Sequence, residues 1–167
     1  MVKRRFLFTV WEGGGTIPPE LSIARQLRER GHEVAVLGDP CARDDVLSVG
    51  CELFPYHLAP HRLSRAPESD LLREWEVFGH LGSYVRARDR LTFGPAYQFA
   101  LDTLDVIERF RPDVIACDSM LLGTACAAER AGIPAAMVMP NIYIYPAPGI
   151  PPIGPGWRRP PTSWTRS

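Results

Sequence analysis

The chain has 167 residues, 46% hydrophobic and 23% charged, enough for one domain with a substantial apolar core. Lys plus Arg equals Asp plus Glu at 19 each, so the basic excess that draws a protein to nucleic acid is missing. No run reaches the roughly 18 apolar residues of a membrane span, and the opening apolar stretch, residues 6–11, is too short for a secretory leader; the expectation is a cytoplasmic protein without stable membrane insertion.

Residues 5–10 are nearly all apolar or β-favouring, the pattern of a strand covered on both faces in a parallel sheet. Gly13, Gly14 and Gly15 end it. Pro18 and Pro19 suit a first helical turn, Glu20 suits the positive end of the helix dipole, and Leu21, Ala24 and Leu27 recur at helical spacing up to a cap at Gly31. Residues 32–37 predict a second strand, 42–50 a helix and 51–55 a short third strand. An irregular stretch, 56–69, carries His57 and His61. Helices are predicted around 71–81 and over 95–110, the latter with Phe99, Leu101, Leu104, Ile107 and Phe110 along one face.

A second strand–helix–strand unit follows: 114–117, 120–131 with Gly132 as cap, and 135–139. The alternation predicts an α/β chain, a Rossmann-like open parallel sheet with helices on both faces, in which ligands gather at the carboxyl ends of the strands. Those ends fall at 11–16, 38–40, 118–119 and 140–141. Eight of the last 28 residues are proline, so 141–167 reads as an extended, irregular tail after a domain at 1–140.

Cys41, Cys51, Cys117 and Cys126 show neither a CxxC pair nor zinc-ligand spacing; they read as buried free thiols, and no metal is predicted. The glycine turn fails as a dinucleotide fingerprint because Pro18 stands where the third glycine belongs, although Asp39 sits near the place of a ribose-binding acid. No lysine and Ser/Thr follow Gly15 in P-loop form. Taken alone, the glycines need do no more than let the chain turn with positive φ. At the end of a first parallel strand and before a helix N-terminus, they also suit an anionic ligand. No cofactor is predicted.

The stretch "GGGTIPPELSIARQLRERGHEVAVLGDP" resembles the opening of bacterial natural-product glycosyltransferases of the macrolide type, which have the two-domain GT-B fold. Gly15, Pro19, Leu21, Ala24, Leu27, Gly31 and His32 fall in register with it. "FRPDVIACDSMLLGTACAAERAGIPAAMVMPN" is similar to the family's fourth strand, following helix and fifth strand. The resemblance covers about residues 6–150. It implies the N-terminal, acceptor-side half of an enzyme that moves a sugar from a nucleotide-diphosphate donor to a hydroxyl of a lipophilic acceptor, with inversion. It also implies a nucleotide-sugar domain that this sequence does not contain. The chain alone is then expected to be inactive, to meet a nucleotide sugar only with a donor domain, and to associate through an exposed interdomain face. Its tail reads as a truncated or frameshifted end.

In the family a histidine after the glycine turn is the general base, and an aspartate after the fourth strand orients it. Asp118 occupies the aspartate's position; Thr16 occupies the histidine's. Threonine cannot hold a proton at neutral pH. Three readings follow: Glu12, His57, His61 or His80 takes the proton; Thr16 and Asp118 only position acceptor and water; or the domain does not catalyse and serves as a non-catalytic module pairing with a separate donor domain. Asp118 also reads as an N-cap for the helix that follows. Trp11, His61, Phe78, His80, Tyr84, Phe93, Asn141 and Tyr143 are the candidate acceptor-binding residues, with the aromatic ones equally suited to a core.

Overall fold

The computed structural model describes residues 2–140, apart from the side chain of His80; the proline-rich tail, Asn141 and Tyr143 lie outside the described residues. Five strands form one parallel sheet in the order β3-β2-β1-β4-β5. These are β1 (Arg5–Thr9), β2 (Glu33–Gly38), β3 (Glu52–Pro55), β4 (Val114–Asp118) and β5 (Ala135–Val138). The helices are α1 (Ile17–Glu29), α2 (Arg43–Ser48), α3 (Gly79–Ala87), α4 (Ala96–Phe110) and α5 (Leu122–Ala131).

Strand β1 is central, pairing Leu7 with Ala35 on one side and with Ile115 on the other. Its alternation divides the interior into two layers. Phe8, Val10, Val34, Val36 and Ala116 pack under α1 and α2 with Ile17, Leu21, Ala24 and Val46. Leu7, Trp11, Ala35, Leu37, Ile115 and Cys117 pack against α4 and α5 with Phe99, Val106, Phe110 and Ala128. Both faces of the middle strands are thereby removed from water, which is why they read as continuous apolar runs.

Three expectations are corrected. The helix predicted around 71–81 lies later, at Gly79–Ala87: Arg73 (φ 42°) and Gly79 (φ 74°) take left-handed backbone and Val77 is extended, so residues 74–76 form only a short 3-10 turn. The core-facing residues of α4 are Phe99, Asp102, Thr103, Val106 and Phe110, with Leu101, Leu104 and Ile107 only half-buried. Its interior stripe therefore includes an acid and a hydroxyl that hydrophobicity alone does not select. Of the four cysteines, all free, Cys51 and Cys117 are buried, Cys41 is half-buried and Cys126 is exposed.

Helices α4 and α5 approach closely. A Cβ on Gly123 would lie 1.9 Å from the carbonyl oxygen of Ala96, and Thr103 Oγ1 sits 3.3 Å from Thr124 Oγ1 across the same contact. That contact fixes α5 and, through it, the end of β4.

Candidate functional site

The glycine turn is tied from both sides. Thr16 Oγ1 donates to the Trp11 carbonyl at 2.5 Å and accepts from the Gly13 amide at 3.3 Å. Glu12 Oε1 accepts from the Gly14 amide at 2.9 Å, and its Oε2 from Arg65 Nε at 2.9 Å; the guanidinium of Arg65 also pairs with Asp45. Gly14 alone of the three glycines has a positive φ, 81°, while Gly13 lies against the Trp11 ring, where a Cβ would be 2.6 Å from the indole. Thr16 stands at the helix boundary but makes no side-chain cap; its hydroxyl is committed to closing the turn behind it.

Two further carboxylates brace the loops at this edge. Asp39 accepts from the amides of Glu12 and Arg62, both at 2.6 Å; burial pushes its pKa up and those two hydrogen bonds pull it back. Asp102, reaching from α4, accepts from the amides of His57, Leu58 and Ala59 at 3.0 Å. It thereby fixes the start of the irregular stretch after β3, with His61 Nδ1 2.9 Å from the Ala59 carbonyl.

Asp118 ends β4 with no exposed surface. Its Oδ1 accepts from the Met120 amide at 2.8 Å; its Oδ2 has no hydrogen-bond partner. Burial pushes its pKa up to about 6, against the opposing pull of the Met120 amide and the nearby Trp11 indole; that indole Nε1 lies close but outside hydrogen-bond geometry. Asp118 is not the cap of α5, which starts at Leu122; its carboxylate closes the tight turn over 118–120. Glu20, in the first turn of α1, is also wholly buried with both carboxyl oxygens unpartnered. Burial, and then the charge of Asp118, push its pKa to about 9.

Two hollows open at this edge. A cleft of about 620 Å³ with a mixed lining lies between α1 and α2, where Glu12, Arg62 and Arg65 face Ile17, Leu21 and Val49. A predominantly apolar cavity of about 510 Å³ lies beside the end of β4, walled by Leu81, Tyr84, Val85, Phe93, Met120 and Leu122, with Ser119 at its margin. Among the described residues no group of three His, Cys, Asp or Glu side chains is placed to hold a metal.

No family model matches the sequence. Over 160 residues, 95% of this chain, it is 29% identical to 4'-demethylrebeccamycin synthase of Lentzea aerocolonigenes. A solved glycotransferase of kitacinnamycin superposes with a TM-score of 0.65 at 21% identity over 86% of this chain. The glycosyltransferase VinC, solved in complex with DTDP, gives 0.52 at 18% over 80%. The chain has the Rossmann-like fold of these GT-B glycosyltransferases and is similar in sequence to one curated synthase. It spans 37% of the length of the curated relative, and 32% and 34% of those two solved chains.

Set against this GT-B edge, the candidate residues of the sequence divide into three groups. Glu12, Thr16 and the three glycines converge in one turn, and Asp118 lies at the end of the neighbouring strand. Trp11 is a core side chain, 7% exposed, because it continues the inward face of β1; Phe78 is fully exposed outside the apolar cavity, which Tyr84 and Phe93 do line. Asn141, Tyr143 and the side chain of His80 are outside the described residues. Sequence reasoning missed Glu20 as a buried group. The signal was available: Ile17, Glu20, Leu21 and Ala24 are the core-facing stripe of α1, and the second member is an acid.

Proposed function

We propose that residues 1–140 form the acceptor-binding side of a glycosyltransferase that moves a sugar from a nucleotide diphosphate to a hydroxyl of a lipophilic small molecule, the donor being held by a second domain. The observation that carries this reading is the apolar cavity of about 510 Å³ at the end of β4, whose wall continues directly from Asp118 through Ser119 and Met120. Ligands of open parallel sheets gather at such strand ends, and a lipophilic acceptor gains most from an apolar wall with a few polar groups at its mouth. The curated relative is by its name a 4'-demethylrebeccamycin synthase, and the glycosyltransferase VinC was solved in complex with DTDP; both support this reading.

Transfer to a hydroxyl requires a base, and Thr16 supplies none: its oxygen holds the turn and its proton does not leave at neutral pH. This observation favours a second reading, a non-catalytic module that holds the acceptor for a partner domain. Both readings place the acceptor in the same cavity. Titration of the chain with a planar aromatic aglycone, followed by NMR shifts of Tyr84 and Phe93, should give saturable binding, and Phe93→Ala should weaken it about tenfold for loss of roughly 1.4 kcal/mol of apolar contact. Unchanged affinity in Phe93→Ala and Tyr84→Ala would place the acceptor elsewhere.

A further inference from the structure

Helix α1 presents Ile17, Glu20, Leu21 and Ala24 inward, and the three apolar members pack with Ala116 of β4 in one layer of the core. Side chains alternate along a strand, so Asp118 leaves β4 on the same face as Ala116, toward α1. An acid in the inward stripe of the helix and an acid at the end of β4 therefore share one side of the sheet, near enough for the charge of Asp118 to act on Glu20. Both are without exposed surface, and three of their four carboxyl oxygens, Glu20 Oε1 and Oε2 and Asp118 Oδ2, have no partner. Around them, Thr9 Oγ1, Trp11 Nε1 and Tyr56 Oη are also buried without hydrogen bonds in this structure. Buried polar groups are nearly always satisfied, so orphans that recur along the carboxyl edge of the sheet call for a chemical reason.

We propose that Glu20 and Asp118 act as one buried carboxyl pair that keeps a single proton at the carboxyl edge of β1 and β4, Glu20 being the positioning partner of Asp118. Two carboxylates in a buried site cannot both ionise cheaply; one proton shared between them relieves the repulsion. The surrounding chemistry agrees. The groups that sense the pair are Cys117 of β4 and Tyr56 after β3, both shifted upward, the first to about 12, chiefly by burial; Tyr56 also senses Asp39 and Asp102. Only burial and Asp118 shift Glu20, with no cation drawing it toward ionisation. The acceptor-side reading determines only what the proton is for; the pair itself is tested without any transfer reaction.

Carboxyl-labelled glutamate and aspartate in the unsubstituted chain, followed by NMR between pH 4 and 10, should show one glutamate holding its proton to about pH 9 and one aspartate titrating at about pH 6. Each resonance should carry a second inflection at its partner's midpoint. In Asp118→Asn the glutamate midpoint should fall, though it stays above 4.5 through burial, while the remaining glutamates stay in place. A Glu20 resonance that titrates near the ordinary 4.5, or one with no inflection at the Asp118 midpoint, would overturn the pairing. A purely structural glutamate would leave its midpoint unmoved by Asp118→Asn. The wild-type inflections decide the matter even if that variant does not fold.

Discussion

Glu20 keeps its proton to about pH 9 in the folded chain but releases it near 4.5 when unfolded. Between those values the folded state binds more protons, so stability falls as pH rises, by about 1.4 kcal/mol per unit from this group. Asp118 acts in the same direction between 3.8 and about 6. Urea unfolding should therefore show the wild type losing stability steadily from pH 6 to 9. Glu20→Gln, which fills the same space without a titrating proton, should remove most of that slope and be the more stable chain at pH 8. A wild type as stable at pH 8.5 as at pH 6 would show Glu20 to be hydrated or paired. The same residue marks the limit of what sequence reveals. An acid in a first helical turn ordinarily faces solvent and the helix dipole, and only the packing of α1 on the sheet turns this one inward. Asp39 and Asp102 were equally hidden as braces, because their partners are backbone amides 23 to 45 residues away in sequence.

At the scale of elements, the sharpest constraint is the contact of α4 with α5. Gly123→Ala puts a methyl 1.9 Å from a backbone carbonyl, and neither helix can yield without moving β4 or the layer formed by Phe99 and Val106. The cost should be about 1–3 kcal/mol, a fall in Tm of roughly 5 °C in thermal melts, and a melt within 1 °C of wild type would mean that the helices slide apart freely. Strands β1, β2 and β4 were legible because burial on both faces leaves an unbroken apolar run, and α1 because prolines open it and Gly31 closes it. Helix α3 was misplaced by eight residues at its start. Its boundary is made by the left-handed backbone of Arg73 and Gly79, and nothing in the side chain of an arginine announces that conformation. The glycine turn and Asp118 could be located from sequence because they sit at strand ends; their hydrogen-bond commitments could not, because Thr16 bonds backward to Trp11 instead of capping the helix ahead.

At the scale of the molecule, an apolar strip runs from Phe78 through Leu81 and Val85 to Phe93, and every one of these side chains is at least 40% exposed. Leu81 and Val85 belong both to the shallow groove that holds Phe78 and to the cavity that holds Phe93, so the exposure is continuous rather than scattered. Soluble single domains rarely leave such a contiguous surface bare unless something binds there. Under the proposed acceptor-side role the strip would have two uses, as the inner wall of a ligand cavity and as the outer face toward a partner domain. Sedimentation of the chain should show concentration-dependent association, and the double substitution Phe78→Ser, Leu81→Gln should restore a monomer. The two uses separate by ligand: a lipophilic phenol that fills the cavity covers Phe93 but leaves Phe78 bare, so it should protect the tyrosine and phenylalanine of the cavity from exchange-broadening without abolishing association. If the phenol alone dissolves the oligomers, the strip is a single ligand surface and the partner face lies elsewhere. A chain that stays monomeric at high concentration and binds no apolar dye would remove the argument for a partner domain on this side of the sheet.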